Sequence, residues 1–251
     1  MEVSAILLLL GWVALATYAQ TVTGFAFGLI LMAGVVLSGL APVSLVAILI
    51  SILSLFNCSL ALYRNLGNLD WEIIVFCSLS GFATLIFGVW TLELLSGSHV
   101  HWLQLILGLA IILSSLMLIV HPVPTRVRSG RLSFLFFGGL SGFMGGMFST
   151  SGPPLVFHFY RQPLTLAVIR DCLLLIFAIN SLQRLIIVGV KGQLDLNILS
   201  LAATAIPVVM LFTWLGRRYP PPLSERNLRR IAFLLLFASG LSLCVSALLN
   251  A

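Results

Sequence analysis

The sequence predicts an all-α polytopic membrane protein made of two inverted repeats of about five hydrophobic segments each, the first pair in each repeat broken or re-entrant. Three observations lead there: an apolar composition, runs of spanning length, and a motif pattern that restarts halfway along the chain. Of 251 residues, 60% are hydrophobic and 8% charged, and the mean hydropathy is +1.16. Such a chain has too little polar surface for a soluble domain. A spanning helix needs about 20 mostly apolar residues, so the length holds about eight to ten spans.

The apolar runs fall at 3–20, 27–40, 43–63, 71–95 and 102–120 in the first half, and at 132–148, 154–160, 164–190, 196–216 and 231–249 in the second. The first run has the length of a signal peptide, with small residues at Ala16 and Ala19. Glu2 is its only charge, where a secretory leader carries Lys or Arg, so it is read as a span. Cys58, Cys77, Cys172 and Cys244 lie within apolar runs without metal or disulfide spacing, and read as packing residues. No metal or cofactor is expected, and nothing suggests a nucleotide-binding loop.

The restart has an order. Thr23-Gly24-Phe25 recurs as Ser141-Gly142-Phe143, Gly67-Asn68-Leu69-Asp70 as Gly192-Gln193-Leu194-Asp195, and Trp90 as Trp214. The first pair is offset by 118 residues and the others by 125 and 124, which implies an insertion of about seven residues after the first glycine motif of the second half. Internal duplication is the better account of a conserved order and near-constant spacing. It divides the chain into repeats at 1–121 and 131–251, joined by a cytoplasmic linker at 122–130.

Charge placement decides the relative orientation of the halves. If the first two segments of each half return the chain to its starting side, 11 of the 13 basic residues share one face, and only Arg184 and Lys191 lie opposite. Counting each such pair as one crossing gives 7 against 6. Because Lys and Arg accumulate on the cytoplasmic side, the first arrangement is preferred, with inverted halves and both termini non-cytoplasmic in a bacterial inner membrane. The net charge of +6 is thus read as orientation, with the lipid bilayer as partner and no nucleic acid.

Two stretches cannot stay helical: Thr21 to Gly28, and Gly142 to Pro154. Irregular backbone at membrane depth is tolerated only inside protein or beside a wet cavity. In the second stretch Gly152 permits unusual dihedrals, Pro153 and Pro154 pre-set a first helical turn, and Ser149, Thr150 and Ser151 precede them. This reads as a helix start within the membrane, whose positive end attracts an anion. The candidate substrate-binding residues are therefore Thr23, Gly24, Phe25 and Gly28 with Gly146, Ser149, Thr150, Ser151, Gly152 and Pro153. The competing reading is that the glycines, such as Gly24 and Gly28, only permit close helix packing.

These motifs resemble those of the TauE/SafE membrane proteins. Thr23 to Gly28 is similar to that family's glycine-phenylalanine box, and Gly142 to Leu155 to its glycine-rich stretch ending Gly-Pro-Pro-Leu. The resemblance covers nearly the whole chain and implies a secondary transporter exporting sulfite, organosulfonates or related anions. Ser149 and Ser151 stand where glycine is frequent in the family, a departure that alters the donors offered to an anion.

Ionisable residues within spans are further candidates, because burying one alone costs at least about 3 kcal/mol. Arg170 could hold the substrate anion, with Asp171 as its partner or a proton relay; alternatively Arg170 snorkels to the cytoplasmic interface. Arg184, seven residues before Lys191, is read as reaching the outer interface. Asn180 and Gln183 share a helical face and could line the cavity or bond between helices. His158 is either a coupling group or a hydrogen-bonded interfacial histidine. A coupling ion, proton or sodium, is compatible with these groups, and the partner expected is a small anion.

The expected activity is transport and not enzymatic. The alternatives are an intramembrane serine hydrolase, since Ser149-Thr150-Ser151-Gly152 approximates a Gly-x-Ser-Gly loop, and a passive channel or scaffold subunit.

Overall fold

A computed structural model describes residues 3–63, 69–98, 100–119 and 125–219, with isolated positions between 234 and 248. Among the described residues the regular structure is helical. The helices are α1 (Val3–Thr23), α2 (Phe27–Leu37), α3 (Val43–Leu62), α4 (Trp71–Ser98), α5 (Val100–Ile119), α6 (Arg131–Phe148), α7 (Gly152–Tyr160), α8 (Leu166–Val190) and α9 (Leu196–Arg218). The last expected segment, 231–249, and the start of the linker lie largely outside the described residues.

Five helices, α1, α3, α4, α8 and α9, are long and apolar enough to cross a membrane, so the chain is a multi-pass membrane protein. By contrast α2 has 11 residues and α7 has 9. At 1.5 Å per residue each rises only about 15 Å, half a hydrocarbon core. Both are walled in by protein: Phe27, Leu31, Met32 and Val35 of α2 and Leu155 and Phe159 of α7 are fully buried. Burial of this kind is what irregular helix ends would need at membrane depth.

Each short helix folds back on the longer one before it. The Trp12 indole packs on Gly34, where a Cβ would overlap it, and its Nε1 donates to Ser38 at 3.1 Å. The α6–α7 hairpin is closed along its length: the Ser141 hydroxyl donates to the Ser151 carbonyl, Phe134 meets the edge of His158, and Gln162 bonds Ser129.

The long helices place the open ends of these hairpins. Asn57 bonds Thr213, and Arg217 donates to the Leu60 and Ala61 carbonyls, so α3 and α9 end together. The Asp70 N–H donates to Cys172, which brings the starts of α4 and α8 to that same end. Arg128, just before α6, pairs with Asp70 and Glu72 there. Thus α6–α7 opens toward this end, whereas α2 leads by a short turn into Val43, at the other.

Glycines join α4 to α6. Gly138, Gly142 and Gly146 are spaced by four and form one stripe, which meets Gly81 and Gly88 backbone to backbone with no room for a Cβ. Gly142 therefore lies inside a continuous helix, unlike its sequence match Gly24, which has φ +83° at the end of α1. The second break begins later than the sequence reading placed it, at Ser149.

Candidate binding site between the broken helices

Both reversals turn on a residue in the left-handed region that is not glycine: Ala26 (φ 87°) before α2 and Ser149 (φ 54°) after α6. The two reversals meet inside the protein. A Cβ on Gly28 would lie 2.8 Å from the Ser149 carbonyl oxygen and 2.9 Å from Thr150 Cγ2. Only a residue with no side chain lets α2 pass the second break this closely.

Between them is a cavity of about 30 Å³, lined among others by Gln20, Gly28, Ser54, Ser149, Thr150 and Ser181. It holds about two water-sized spheres. The starts of α2 and α7 both face it, so two positive helix ends converge on one polar space. Ala26, Phe27, Ser151, Gly152 and Phe177 complete much of the wall.

The donors differ at the two helix starts. At α2, the Phe27 N–H donates to Gln20 Oε1 at 3.2 Å, while Gln20 Nε2 donates to Asn57 Oδ1 at 2.9 Å. At α7, no side chain caps the first turn, and Pro153 and Pro154 carry no N–H. Two of the four ordinarily free donors are therefore missing, and the hydroxyls of this break supply polarity in their place. Ser149 donates to the Ala47 carbonyl at 2.8 Å and lies in hydrogen-bond contact with Ser51.

Of the residues singled out from sequence, Gly28, Ser149, Thr150, Ser151 and Gly152 line this cavity. Phe25 is buried behind it, with its Cβ 3.9 Å from where a Gly152 Cβ would stand. Pro153 is buried in the first turn of α7. The Thr23 side chain lies outside the described residues. Gly24 packs against the aliphatic stem of Arg170, and Gly146 belongs to the α4–α6 contact.

Arg170 does not line the cavity. Its side chain is 44% exposed and its Nε lies 3.6 Å from buried Asp171. His158 stacks on Phe137 at 4.4 Å, with Ser133 3.4 Å from Nε2, at the far end of α7 from the cavity. Asn180 faces Gly81 of α4, and the side-chain oxygens of Asn180 and Gln183 are buried without a described hydrogen-bond partner.

Several site residues escaped the sequence reading. Gln20, Ser54 and Ser181, all on the cavity wall, were not singled out. Gln20 does carry a signal, since a glutamine within one turn of a break is placed to cap it. Arg184, expected at an interface, is only 2% exposed. Its Nε donates to the Gly146 carbonyl at 3.0 Å and its Nη1 to Ser51 at 3.3 Å. Among the described residues no cluster of His, Cys, Asp or Glu has metal-binding geometry.

Two interlocked hairpins, each pairing a longer helix with a half-length one, packed among helices of spanning length and meeting at a small polar cavity, define a polytopic membrane protein with an internal site. Residues 8–243 match the family model described as Sulfite exporter TauE/SafE. A protein of Cupriavidus necator described as a probable sulfite/organosulfonate exporter TauE is 41% identical over 251 residues, 99% of this chain and 98% of that protein. This chain belongs to the TauE/SafE family. No solved structure matches it.

Proposed function

We propose that the chain is a secondary transporter, working as an exporter, of small sulfur-containing anions such as sulfite or organosulfonates. The carrying observation is the convergence of two half-length helix starts on one buried polar cavity, since such ends attract anions. The description of the Cupriavidus necator relative supports the sulfur-anion class. At about 30 Å³ the cavity is tight, which favours alternating access: the hairpins part to admit an anion from one side, then close and open toward the other.

In this reading the halves, 1–121 and 131–251, are inverted repeats joined at 122–130. The helix starts support it with nearly constant offsets: Phe27 to Gly152 and Trp71 to Leu196 are each offset by 125 (152 − 27 and 196 − 71), and Val43 to Leu166 by 123 (166 − 43). The match of Gly24 with Gly142 is then fortuitous, and no seven-residue insertion is needed. Basic residues at the shared ends of α3, α6 and α9 favour the cytoplasmic face there, in a bacterial inner membrane with non-cytoplasmic termini.

A hydrolase reading finds less support. His158 is held by Ser133 and two phenylalanines, about 9 Å along α7 from its start, while a base must approach a nucleophile to about 3 Å.

The test is flux into proteoliposomes. Saturable sulfite or methanesulfonate uptake, reduced at least about tenfold by Thr150→Val, supports the carrier; a tenfold loss is about 1.4 kcal/mol. Unsaturable flux would identify a channel, and no flux would leave a scaffold. Imposed proton and sodium gradients identify the coupling ion.

A further inference from the structure

A second, larger cavity of about 330 Å³ lies between α3, α4, α8 and the start of α9. Ser44, Val89, Glu93, Ser96, Arg184 and Gln193 are on its wall. It opens at the end of the bundle where α3 begins and α8 finishes, opposite Arg217. Its size suits a small organic anion.

The charges in this cavity are unequal. Glu93 is already engaged, by Lys191 Nζ at 2.6 Å and Gln193 Nε2 at 2.8 Å. Arg184 is not matched in this way. Its described partners are a carbonyl and a hydroxyl, both neutral, and among the described residues no carboxylate lies within 4.0 Å of it. Its Nη2 has no described partner. A guanidinium that is 2% exposed, and whose facing carboxylate on the cavity wall, Glu93, acts on it only from beyond 4.0 Å and is held by Lys191, is costly unless an anion completes it. Its planar fork suits two oxygens of one oxyanion.

The geometry points to a second oxyanion site in this cavity, with Arg184 as its cation and a small sulfonate-type anion as its ligand. Ser51 ties it to the first site, since the same hydroxyl accepts from Arg184 and contacts Ser149. The choice of a sulfonate rests on the transport reading; the site itself rests on the cavity and the arginine.

The test uses full-length Ser96→Cys protein in nanodiscs, with alkylation by a maleimide timed against methanesulfonate. Ser96 lies on the cavity wall and does not bond Arg184. The expected result is saturable slowing, lost when Arg184→Gln is added. Arg184→Lys keeps the charge but not the fork, and should shift half-protection to about tenfold higher concentration. Equal protection with Arg184→Gln, or none with the arginine intact, overturns the proposal. If Arg184→Gln does not yield monodisperse protein, Ser44→Phe fills the cavity without touching the arginine's partners; protection surviving that change also overturns it. Protection without sulfite flux in liposomes would remove the transport reading and keep the site, whereas flux without protection would do the reverse.

Discussion

Gln20 shows how much one neutral side chain can hold. It accepts from the first N–H of α2 and donates to Asn57, which in turn bonds Thr213. Gln20→Leu strips a buried donor and acceptor from a connected chain, so an unfolding loss of about 1–3 kcal/mol is expected. Thermal unfolding in detergent measures it. Gly28 acts through what it lacks. Gly28→Val would drive methyl groups into the Ser149 carbonyl and Thr150, so flux should fall below a tenth of wild type while the long helices stay assembled, as size-exclusion profiles would show. Residue roles were the least legible part of the sequence. Arg170 and Arg184 look alike as basic residues in one apolar run. Position along α8 separates them only when its neighbours are known: one lies near a helix start and is exposed, while the other faces α3 and α6 and is buried.

Among the elements, the segments themselves were clear from sequence, because Gly, Pro and polar clusters interrupt apolar runs long enough to read. The break in the second half was clear in kind, from Ser-Thr-Ser-Gly-Pro-Pro, and misplaced in extent. Gly142 and Gly146 were grouped with it, yet they belong to the α4–α6 contact, because a glycine that turns the chain and one that admits a neighbour are the same letter. The spacing of Gly138, Gly142 and Gly146 was the available clue. Since each lies against α4 without room for a Cβ, Gly142→Leu should prevent assembly, read as loss of the monodisperse peak on size exclusion. Replacement of exposed Leu140 on the same helix by alanine should leave that peak unchanged.

For the whole molecule, orientation was readable only as a statistic of charges, and the packing of α3, α8 and α9 gives that statistic a geometry. Val127 and Gln193 lie on opposite ends of the bundle. In intact cells an impermeant maleimide should label Gln193→Cys and spare Val127→Cys, with the reverse in inside-out vesicles; the opposite pattern would invert the proposed topology.

Ala26 and Ser149 carry a consequence beyond the shape of the turns. Each holds a side chain in a backbone region that costs an L-residue about 1 kcal/mol, and each stands at the tip of a hairpin. The described arrangement therefore stores energy at two places that a moving hairpin would relax. Glycine at the first tip removes that cost without losing a side-chain hydrogen bond, so Ala26→Gly should deepen this state relative to its alternatives and raise the population that rests in it, whereas Ser149→Gly would also strip the hydroxyl that bonds Ala47 and meets Ser51. A protein made more stable in this way should turn over more slowly: a higher melting temperature joined to a lower maximal flux, with the anion concentration for half-maximal flux shifted as the resting population shifts.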